Sequence, residues 1–241
     1  MKIAVISDIH ANLEALEAVL AHAAAEQVDA FWCLGDVVGY GADPDAVVER
    51  VRALRAPTVA GNHDWAACGL TSTRAFNRHA AAAADWTART MRPENLEWLK
   101  ALPLVERVDG VLLVHATPSE PAAWHYCMMV EDALDEMETY REDLCLIGHS
   151  HVPGAFERAN DEVRYTRAEE MIFRAGRQYL VNVGSVGQPR DGDPRAAYGI
   201  LETEGPDITC YRVAYPVERA QSRIREAGLP DALARRLAVG R

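Results

Sequence analysis

Five short polar clusters, each placed at the end of a strand-like apolar run, constrain this chain more than any other feature of its sequence. The clusters are SDIH at 7–10, GD at 35–36, GNHD at 61–64, VH at 114–115 and GHSH at 148–151. In open α/β sheets the loops after the carboxyl ends of strands meet in one crevice, so side chains far apart in sequence become neighbours there. The sequence therefore predicts one polar site built from five loops.

The apolar runs in the first part of the chain predict an α/β fold. The run at 2–7 has the length of a buried strand, and residues 12–26 repeat apolar side chains at helical spacing. A second strand is predicted at 30–36, a helix with an Asp cap and an early Pro at 43–54, and a third strand at 57–61. Successive β-α-β units predict a largely parallel sheet with right-handed crossovers.

The strand pattern stops after the third polar cluster and returns near residue 104. The segments RAFNRHAAAAADWTARTM and PENLEWLKAL predict two helices, which form a helical flank or cap at about 65–101. Further strands are predicted at LVERVD, VLLVHA, LCLIGH, FERAN, EVRYTRA, QYLVNVG, AYGILET and DITCYRVAY, with Asn160-Asp161 joining FERAN to EVRYTRA. We expect a single domain over 1–241, a sandwich of two mixed sheets with outer helices.

The composition limits which partners the protein is expected to bind and where in the cell it is expected to lie. The formal net charge of −11 argues against a surface that coats nucleic acid, because that interaction needs clustered Lys and Arg. No run approaches the roughly 18 apolar residues of a membrane span, and the N-terminus turns acidic too soon for a secretory signal. We expect a protein that begins near Met1 and stays in the cytoplasm. The sequence leaves its oligomeric state open.

The residue types in the polar clusters suit divalent cations. Imidazole favours Zn, Fe, Co, Ni or Mn over Mg or Ca, and carboxylates can bridge two ions. Asp8 and His10 point the same way on an extended segment, and His149 and His151 have the same spacing and can serve one ion or two. Asp36, alone after its strand, is the predicted bridge. Two cations about 3.5–4 Å apart can activate a bridging water and bind phosphoryl oxygens.

A proton donor for the leaving group is the remaining requirement of such chemistry. His63 is the candidate, because it follows Asn62 in a loop that begins with Gly, and Asp64 stands beside it to orient or charge its ring. The five cysteines form no CxxC pair, so neither a disulfide framework nor a thiolate zinc site is predicted.

Four residues are candidate substrate contacts: Asn12, His79, Trp124 and Arg190. Trp124 belongs to an aromatic loop after His115, and such loops often close sites. Arg190 can hold an anionic group of the substrate. The alternatives are ordinary helix packing for His79 and, for Arg190, a surface ion pair with one of the aspartates that follow it.

The ordered set SDIH, GD, GNHD, VH and GHSH resembles the calcineurin-like metallophosphoesterases. The resemblance implies a four-layer α/β/β/α sandwich and a binuclear metal centre. It also implies that His63 contacts the substrate phosphate or leaving group without binding metal. The implied ligands are Asp8, His10 and His151 for one metal, Asn62, His115 and His149 for the other, and Asp36 for both.

The segments FNRHAAAAADWT and GSVGQPRDGDPRAAYGI are similar to a branch of small, single-domain bacterial and archaeal members. This similarity implies a phosphodiesterase with manganese as the favoured metal and Fe, Ni, Co or Zn as alternatives, in which hydroxide bridging two metals attacks a phosphate ester. The substrate would be a small phosphate ester or nucleotide. A phosphomonoesterase or a dinucleoside-polyphosphate hydrolase is the alternative within the superfamily. A non-catalytic scaffold or regulator that keeps the fold is the alternative of another class.

Many family members begin GDIHG, whereas this chain has Ser7 for the first Gly and Ala11-Asn12 after the His. The departure leaves both ligands of that cluster intact. It makes the protein-phosphatase subgroup, which more often carries GDxHG, the less favoured relative.

Overall fold

The structure, a computed structural model, describes residues 1–160, 162–167, 170–205 and 207–241. The strands are β1 (Lys2–Ile6), β2 (Ala30–Cys33), β3 (Val105–Val108), β4 (Val111–Val114), β5 (Leu144–Ile147), β6 (Gly154–Ala159), β7 (Glu162–Thr166), β8 (Glu170–Ile172), β9 (Gln178–Asn182), β10 (Ala196–Glu202) and β11 (Asp207–Val213). The helices are α1 (Leu13–Ala25), α2 (Pro44–Ala53), α3 (Asn62–Ala67), α4 (Arg78–Thr90), α5 (Pro93–Lys100), α6 (Val130–Met137), α7 (Val217–Glu226) and α8 (Asp231–Leu237).

The strands form two mixed sheets. One has the order β2-β1-β10-β11-β8 and the other the order β3-β4-β5-β9-β6-β7. β1 runs parallel to β2 but antiparallel to β10, and β5 runs parallel to both β4 and β9. The expectation of a largely parallel sheet is therefore wrong, because β10 pairs antiparallel with β1 on one side and with β11 on the other.

The third predicted strand, at 57–61, is only an extended segment. It makes one parallel bridge, between Thr58 and Cys33. Pro57 has no N–H to give to a ladder, and the chain turns into α3 at Asn62. Asp161 of the predicted Asn160-Asp161 connection and Ala168 of the predicted strand EVRYTRA lie outside the described residues.

The apolar side chains of the first sheet alternate between two cores. In β1, Ile3 and Val5 lie between the sheets, whereas Ala4 and Ile6 face the core shared with α1, α2 and α7. Because both faces are covered, the strand is a continuous apolar run rather than an alternating one.

The second sheet repeats this arrangement. In β4, Leu113 lies between the sheets, and Leu112 and Val114 face the core that contains Ala133 and Met137 of α6. The layers are therefore helices, sheet, sheet and helix. This confirms the expected four-layer α/β/β/α sandwich.

The segment between the third polar cluster and β3 is helical. α4 and α5 occupy the two segments predicted as helices, preceded by α3 and a single 3₁₀ turn at Thr73–Ala75. Across the described ranges, no helix has the length and apolarity needed to cross a bilayer. The assignment of the whole chain to one domain stays a prediction.

The inter-sheet core supplies a stability test. Leu113 is fully buried between the sheets, so Leu113→Ala should lower the free energy of unfolding by about 2–5 kcal/mol. Leu134→Ala is the matched control, since this α6 side chain is 37% exposed and should change stability by less than about 1 kcal/mol. Urea denaturation midpoints measure both. Equal losses would contradict the placement of Leu113.

Candidate metal centre

The seven predicted metal ligands lie together at one edge of the sandwich. β1 and β2 of one sheet and β4 and β5 of the other lead into their loops, and Asn62 is the first residue of α3. At most 6% of each ligand is exposed. The residues in chain order are Asp8, His10, Asp36, Asn62, His115, His149 and His151. Loops from both sheets thus meet in one crevice.

One group consists of Asp8, His10, Asp36 and His151, whose potential ligand atoms all lie within 4.8 Å of one another. The Nε2 atoms of His10 and His151 are 3.1 Å apart. The Nε2 of His151 lies 3.2 Å from Oδ1 of Asp8, and the Nε2 of His10 lies 3.6 Å from Oδ2 of Asp36.

A second group consists of Asp36, His115 and His149, again within 4.8 Å. The Nε2 of His115 lies 3.3 Å from Oδ2 of Asp36. Asp36 belongs to both groups. Asn62 presents a buried Oδ1 that has no hydrogen-bond partner within the described part of the chain.

The other ring nitrogen of each histidine donates to a backbone carbonyl. Such a bond fixes the tautomer and leaves the lone pair on the opposite nitrogen. That nitrogen is Nε2 in His10, His115 and His151, and Nδ1 in His149. The bonds are His10 Nδ1 to Val38 O (3.1 Å), His115 Nδ1 to Leu34 O (2.8 Å), His151 Nδ1 to Gln188 O (2.5 Å) and His149 Nε2 to Trp124 O (2.9 Å).

These tautomers bring electron pairs together without a proton between them. The facing Nε2 atoms of His10 and His151 repel each other in that state, and Oδ1 of Asp8 is buried without a hydrogen-bond partner among the described residues. Unpaired buried acceptors are costly, and a cation satisfies all of them at once. The mixed imidazole and carboxylate donor set fits divalent Mn, Fe, Co, Ni or Zn.

Each carboxylate has one oxygen held by the protein and one facing the other ligands. Oδ2 of Asp8 accepts hydrogen bonds from Ser7 Oγ at 2.7 Å and from the His149 amide at 3.1 Å. Oδ1 of Asp36 accepts from the His63 amide at 2.8 Å. Burial alone would raise the pKa of Asp8 and Asp36, but the surrounding histidines lower both, so both carboxylates are ionised.

The histidines divide into two electrostatic classes. Burial lowers the pKa of His10 and His151, and it lowers the pKa of His149 to about 3. Burial also opposes charge on His115, but Asp36 and Asp8 outweigh it and raise the pKa of His115 to about 9. A cation bound at His115 must therefore displace a proton.

Five of the ligands have a left-handed backbone. Such φ values are uncommon outside glycine, and each costs about 1–3 kcal/mol. Glycine would remove the strain but also the side chain that binds. The residues are Asp8, His10, Asp36, His149 and His151, with φ between 49° and 66°.

Two glycines allow the ligand loops to approach each other. A Cβ at Gly61 would collide with the carboxylate and amide of Asp36. A Cβ at Gly148 would collide with Ser7 Oγ and lie 2.7 Å from Oδ2 of Asp8. Both positions therefore require glycine for space.

His63 faces the same centre. Its ring centroid lies 4.4 Å from that of Tyr40, 4.8 Å from that of Phe76 and 5.0 Å from that of His10. Its Nδ1 is buried with no hydrogen-bond partner in the described ranges. Burial lowers the pKa of His63 to about 4.

The expected contact between Asp64 and the His63 ring is wrong. The Asp64 carboxylate accepts from the amides of Val38 at 3.0 Å and Gly61 at 2.9 Å, so it braces two ligand loops. Burial and the nearby charge of Asp36 raise the pKa of Asp64 to about 7. Residue 64 follows 63 on a helix, and side chains one position apart on a helix point in different directions.

A cavity of about 350 Å³ opens beside the centre. Its wall includes both ligand side chains and aromatic rings, namely Tyr40, Asn62, His63, Phe76, Trp124, Tyr126 and His149. The Tyr126 ring stacks on His149 with centroids 4.1 Å apart. A phosphate ester at the centre can place an organic group against these rings.

The four predicted substrate contacts have different positions. Trp124 lines the cavity, whereas His79 is absent from its described wall and accepts a hydrogen bond from Arg78. Asn12 is also absent from that wall. Its amide accepts from Ala15 N as the cap of α1 and donates to Gly187 O, and its contact with substrate stays a prediction.

Arg190 lies close to the centre, on its Tyr40 side. Its Nη2 donates to Tyr40 Oη at 3.3 Å and to Gln188 Oε1 at 3.1 Å. The surface ion pair considered as its alternative role is wrong, because Asp191 pairs with Arg212 and Asp193 with Arg195.

Polar residues at the end of β9 and just after it also hold the ligand loops, and none of them was predicted. Ser185 Oγ donates to Asp8 O at 2.8 Å, and Asn182 donates to Gly148 O at 2.5 Å. Gln188 supplies the carbonyl that orients His151. The sequence does carry a signal for them, since they lie in the strand-like run QYLVNVG or just after it.

Gly61→Ala tests whether close approach of the loops forms the centre. The added methyl group must displace Asp36, so we expect the variant to lose most manganese-dependent thermal stabilisation. A ligand at 100 times its Kd adds about 2.7 kcal/mol to wild-type stability. Gly205→Ala is the control, since nothing lies within 4 Å of its added Cβ. If manganese stabilised Gly61→Ala against heat as much as it stabilises the wild type, this geometry would be contradicted.

Residues 1–205 match the profile described as a calcineurin-like phosphoesterase superfamily domain. An uncharacterized protein of Methanocaldococcus jannaschii is 40% identical over 243 residues, covering 99% of this chain and 98% of that protein. The crystal structure of a metallophosphoesterase from Sphaerobacter thermophilus has a TM-score of 0.88 and 42% identity, covering 100% of this chain and 99% of that chain. A symmetrical bis(5'-nucleosyl)-tetraphosphatase of Pectobacterium carotovorum is 28% identical over 122 residues, 49% of this chain and 43% of that protein. The sequence resemblance is therefore confirmed, and the chain belongs to the calcineurin-like phosphoesterase superfamily.

Proposed function

We propose that this protein is a phosphodiesterase that depends on two divalent cations. The observation that carries the proposal is the pair of buried ligand groups that share Asp36 and border a cavity. Membership of a phosphoesterase superfamily supports ester hydrolysis as the reaction. The cytoplasmic location expected from the sequence stays a prediction.

Each cation has its own set of proposed ligands. When bound, the cations lower the pKa of water between them and offset charge on the phosphoryl oxygens. Manganese is our favoured metal, and the donors also suit Fe, Ni, Co or Zn. Asp8, His10 and His151 would hold one cation, Asn62, His115 and His149 the other, and Asp36 both.

His63 is the proposed proton donor to the leaving oxygen. Its ring lines the cavity, and the negative charge of a phosphate bound there would raise its pKa from the value of about 4 that burial gives. Asp64 would act indirectly, by holding the Gly61 and Val38 amides in place.

The cavity wall favours a diester over a monoester. A diester has two organic groups to place, and Tyr40, Phe76, Trp124 and Tyr126 provide apolar surface for them. The surface also excludes water from the reacting group. A scaffold role is disfavoured, because buried lone pairs without partners cost stability unless a cation is bound.

Loss of the shared carboxylate should abolish the reaction. We expect Asp36→Ala to lose both metal binding and at least about 10³-fold in kcat/KM on bis(p-nitrophenyl) phosphate, because neither ligand group is complete without it. Metal content and kinetics are measured on the same sample. Asp85→Ala, a change at an exposed position of α4, is the control. Near-full turnover by Asp36→Ala would refute the proposal.

His63→Ala separates proton donation from metal binding. We expect kcat to fall by about 10²–10⁴-fold while both metals stay bound, since His63 is not a proposed ligand. The fall in kcat caused by His63→Ala should be progressively smaller for aryl esters whose leaving groups have lower pKa values, because those leaving groups need less protonation. His22→Ala, whose ring contacts Tyr198 and Tyr211, is the control. Loss of metal from His63→Ala would contradict the assignment.

Substrate and metal preference are tested by one screen. Aryl mono- and diesters, cyclic nucleotides and dinucleoside polyphosphates are assayed with Mn, Ni, Co, Zn and Mg. We expect manganese and the diesters to give the highest kcat/KM. The absence of turnover with every metal and ester would favour the scaffold.

A further inference from the structure

The loop at 116–129, between β4 and α6, holds one of the proposed metal ligands by two contacts. Its Trp124 carbonyl accepts a hydrogen bond from Nε2 of His149 at 2.9 Å, and its Tyr126 ring stacks on the His149 ring with centroids 4.1 Å apart. Burial lowers the pKa of His149 to about 3, so the ring is neutral and only one of its nitrogens carries a proton. The carbonyl therefore keeps the proton on Nε2 and the lone pair on Nδ1. We call residues 116–129 the Trp124 loop.

The same loop lies beside the other ligands of the second cation, the one assigned to Asn62, His115 and His149. The Trp124 ring lies 6.1 Å from the ring of His115 and 5.4 Å from that of Trp65, measured between centroids. Trp65 belongs to α3, the helix whose first residue is Asn62. The two histidines proposed for the first cation bond to carbonyls outside this loop. The Trp124 loop therefore supports one of the two proposed cations.

The start of the Trp124 loop is fastened to α6 by a buried carboxyl group. Glu136 is 9% exposed, its Oε2 accepts from the amide of Ser119 at 2.9 Å, and its Oε1 accepts from the Ser119 hydroxyl at 2.7 Å. Glu136 forms no ion pair with any described residue. A buried carboxyl group is costly unless it is hydrogen-bonded, so the bonds to Ser119 are what stabilise it in this position.

The end of the loop is fastened to the same helix. Oδ2 of Asp132, which caps α6, accepts from the amides of Met128 and Met129 at 3.0 Å each. Glu136 lies one helical turn further along α6. Between the two fastened ends, Trp124 has a left-handed backbone with φ of 59°. This conformation is costly for a bulky side chain and persists only where the surroundings over-determine it, so the fastened ends maintain it.

We propose that Glu136 is a positioning residue for the second cation. Through Ser119 it holds the Trp124 loop in place. The loop in turn fixes the ring of His149 with its lone pair on Nδ1. This assignment rests on the proposed function, because it uses the division of ligands given there. Losing a group that orients a metal ligand typically lowers metal affinity about 10–100-fold. Because the loop supports one cation only, the loss of Glu136 should weaken that cation and spare the other.

Manganese titration of the full, metal-free protein tests the assignment. Calorimetry should resolve two binding steps in the wild type, and the step that His149→Ala removes identifies the second cation. Glu136→Ala should raise the Kd of that step at least about tenfold and leave the other Kd within about twofold. Glu136→Gln should restore most of the affinity, since its amide can accept from the Ser119 amide and donate to the hydroxyl. Asp135→Ala, at an exposed position of α6, is the matched control and should change neither Kd.

Ser119→Ala provides a second variant with a milder change. It removes the hydroxyl bond to Glu136 and keeps the amide bond, so it should raise the second Kd about threefold or more. Thermal unfolding without metal shows which variants are folded. If Glu136→Ala does not fold, Ser119→Ala decides the outcome. An unchanged second Kd in the folded variants, or equal weakening of both cations, would overturn the assignment.

The ring of His149 supplies a readout that needs no metal. In the metal-free wild type, the ring nitrogen chemical shifts of His149 should show the proton on Nε2. In Glu136→Ala the tautomer with the proton on Nδ1 should appear beside it, because the Trp124 carbonyl is no longer held in place. An unchanged tautomer would also count against the assignment. A wild type that binds no manganese but shows this tautomer change would instead refute the proposed function and keep the role of Glu136 in orienting His149.

Discussion

The centre depends on one electrostatic requirement: buried electron pairs must converge without protons between them. Backbone carbonyls fix each histidine tautomer, and amide or hydroxyl donors occupy one oxygen of Asp8 and of Asp36. The remaining nitrogen and oxygen atoms of each ligand group then lie within 4.8 Å of one another. Such an arrangement is unfavourable in isolation and favourable around a divalent cation, so the surrounding protein must hold it in advance.

The sandwich provides that support. The left-handed backbone at five ligands costs about 1–3 kcal/mol each, and it persists only where the surroundings over-determine the loops. Backbone hydrogen bonds from Asp8 N to Gly35 O and from His10 N to Asp36 O tie the first two loops together, and Gly148 N to His115 O ties the loops of the other sheet. Three buried cores hold the strands behind these loops. The stable layers therefore keep the ligand loops at their edge in a fixed geometry.

The features that follow from the ends of strands could be predicted from the sequence. The features that depend on the direction of individual side chains could not. The layers and the gathering of polar clusters follow from apolar runs and the residues after them, because carboxyl ends of strands share an edge. Strand order did not follow, since pairing of β10 with β1 joins segments far apart in the chain. Asp64 was misjudged because adjacency in sequence does not show which backbone amides a side chain meets.

Local charge also explains how a chain with a formal net charge of −11 could attract the proposed phosphate ester. Exposed charges more than about 8 Å away are largely screened at physiological ionic strength, so the acidic surface acts weakly on a group inside the cavity. Buried charges are screened much less. Cations held by the ligands and the guanidinium of Arg190 beside Tyr40 would therefore set the sign of the field where phosphate binds.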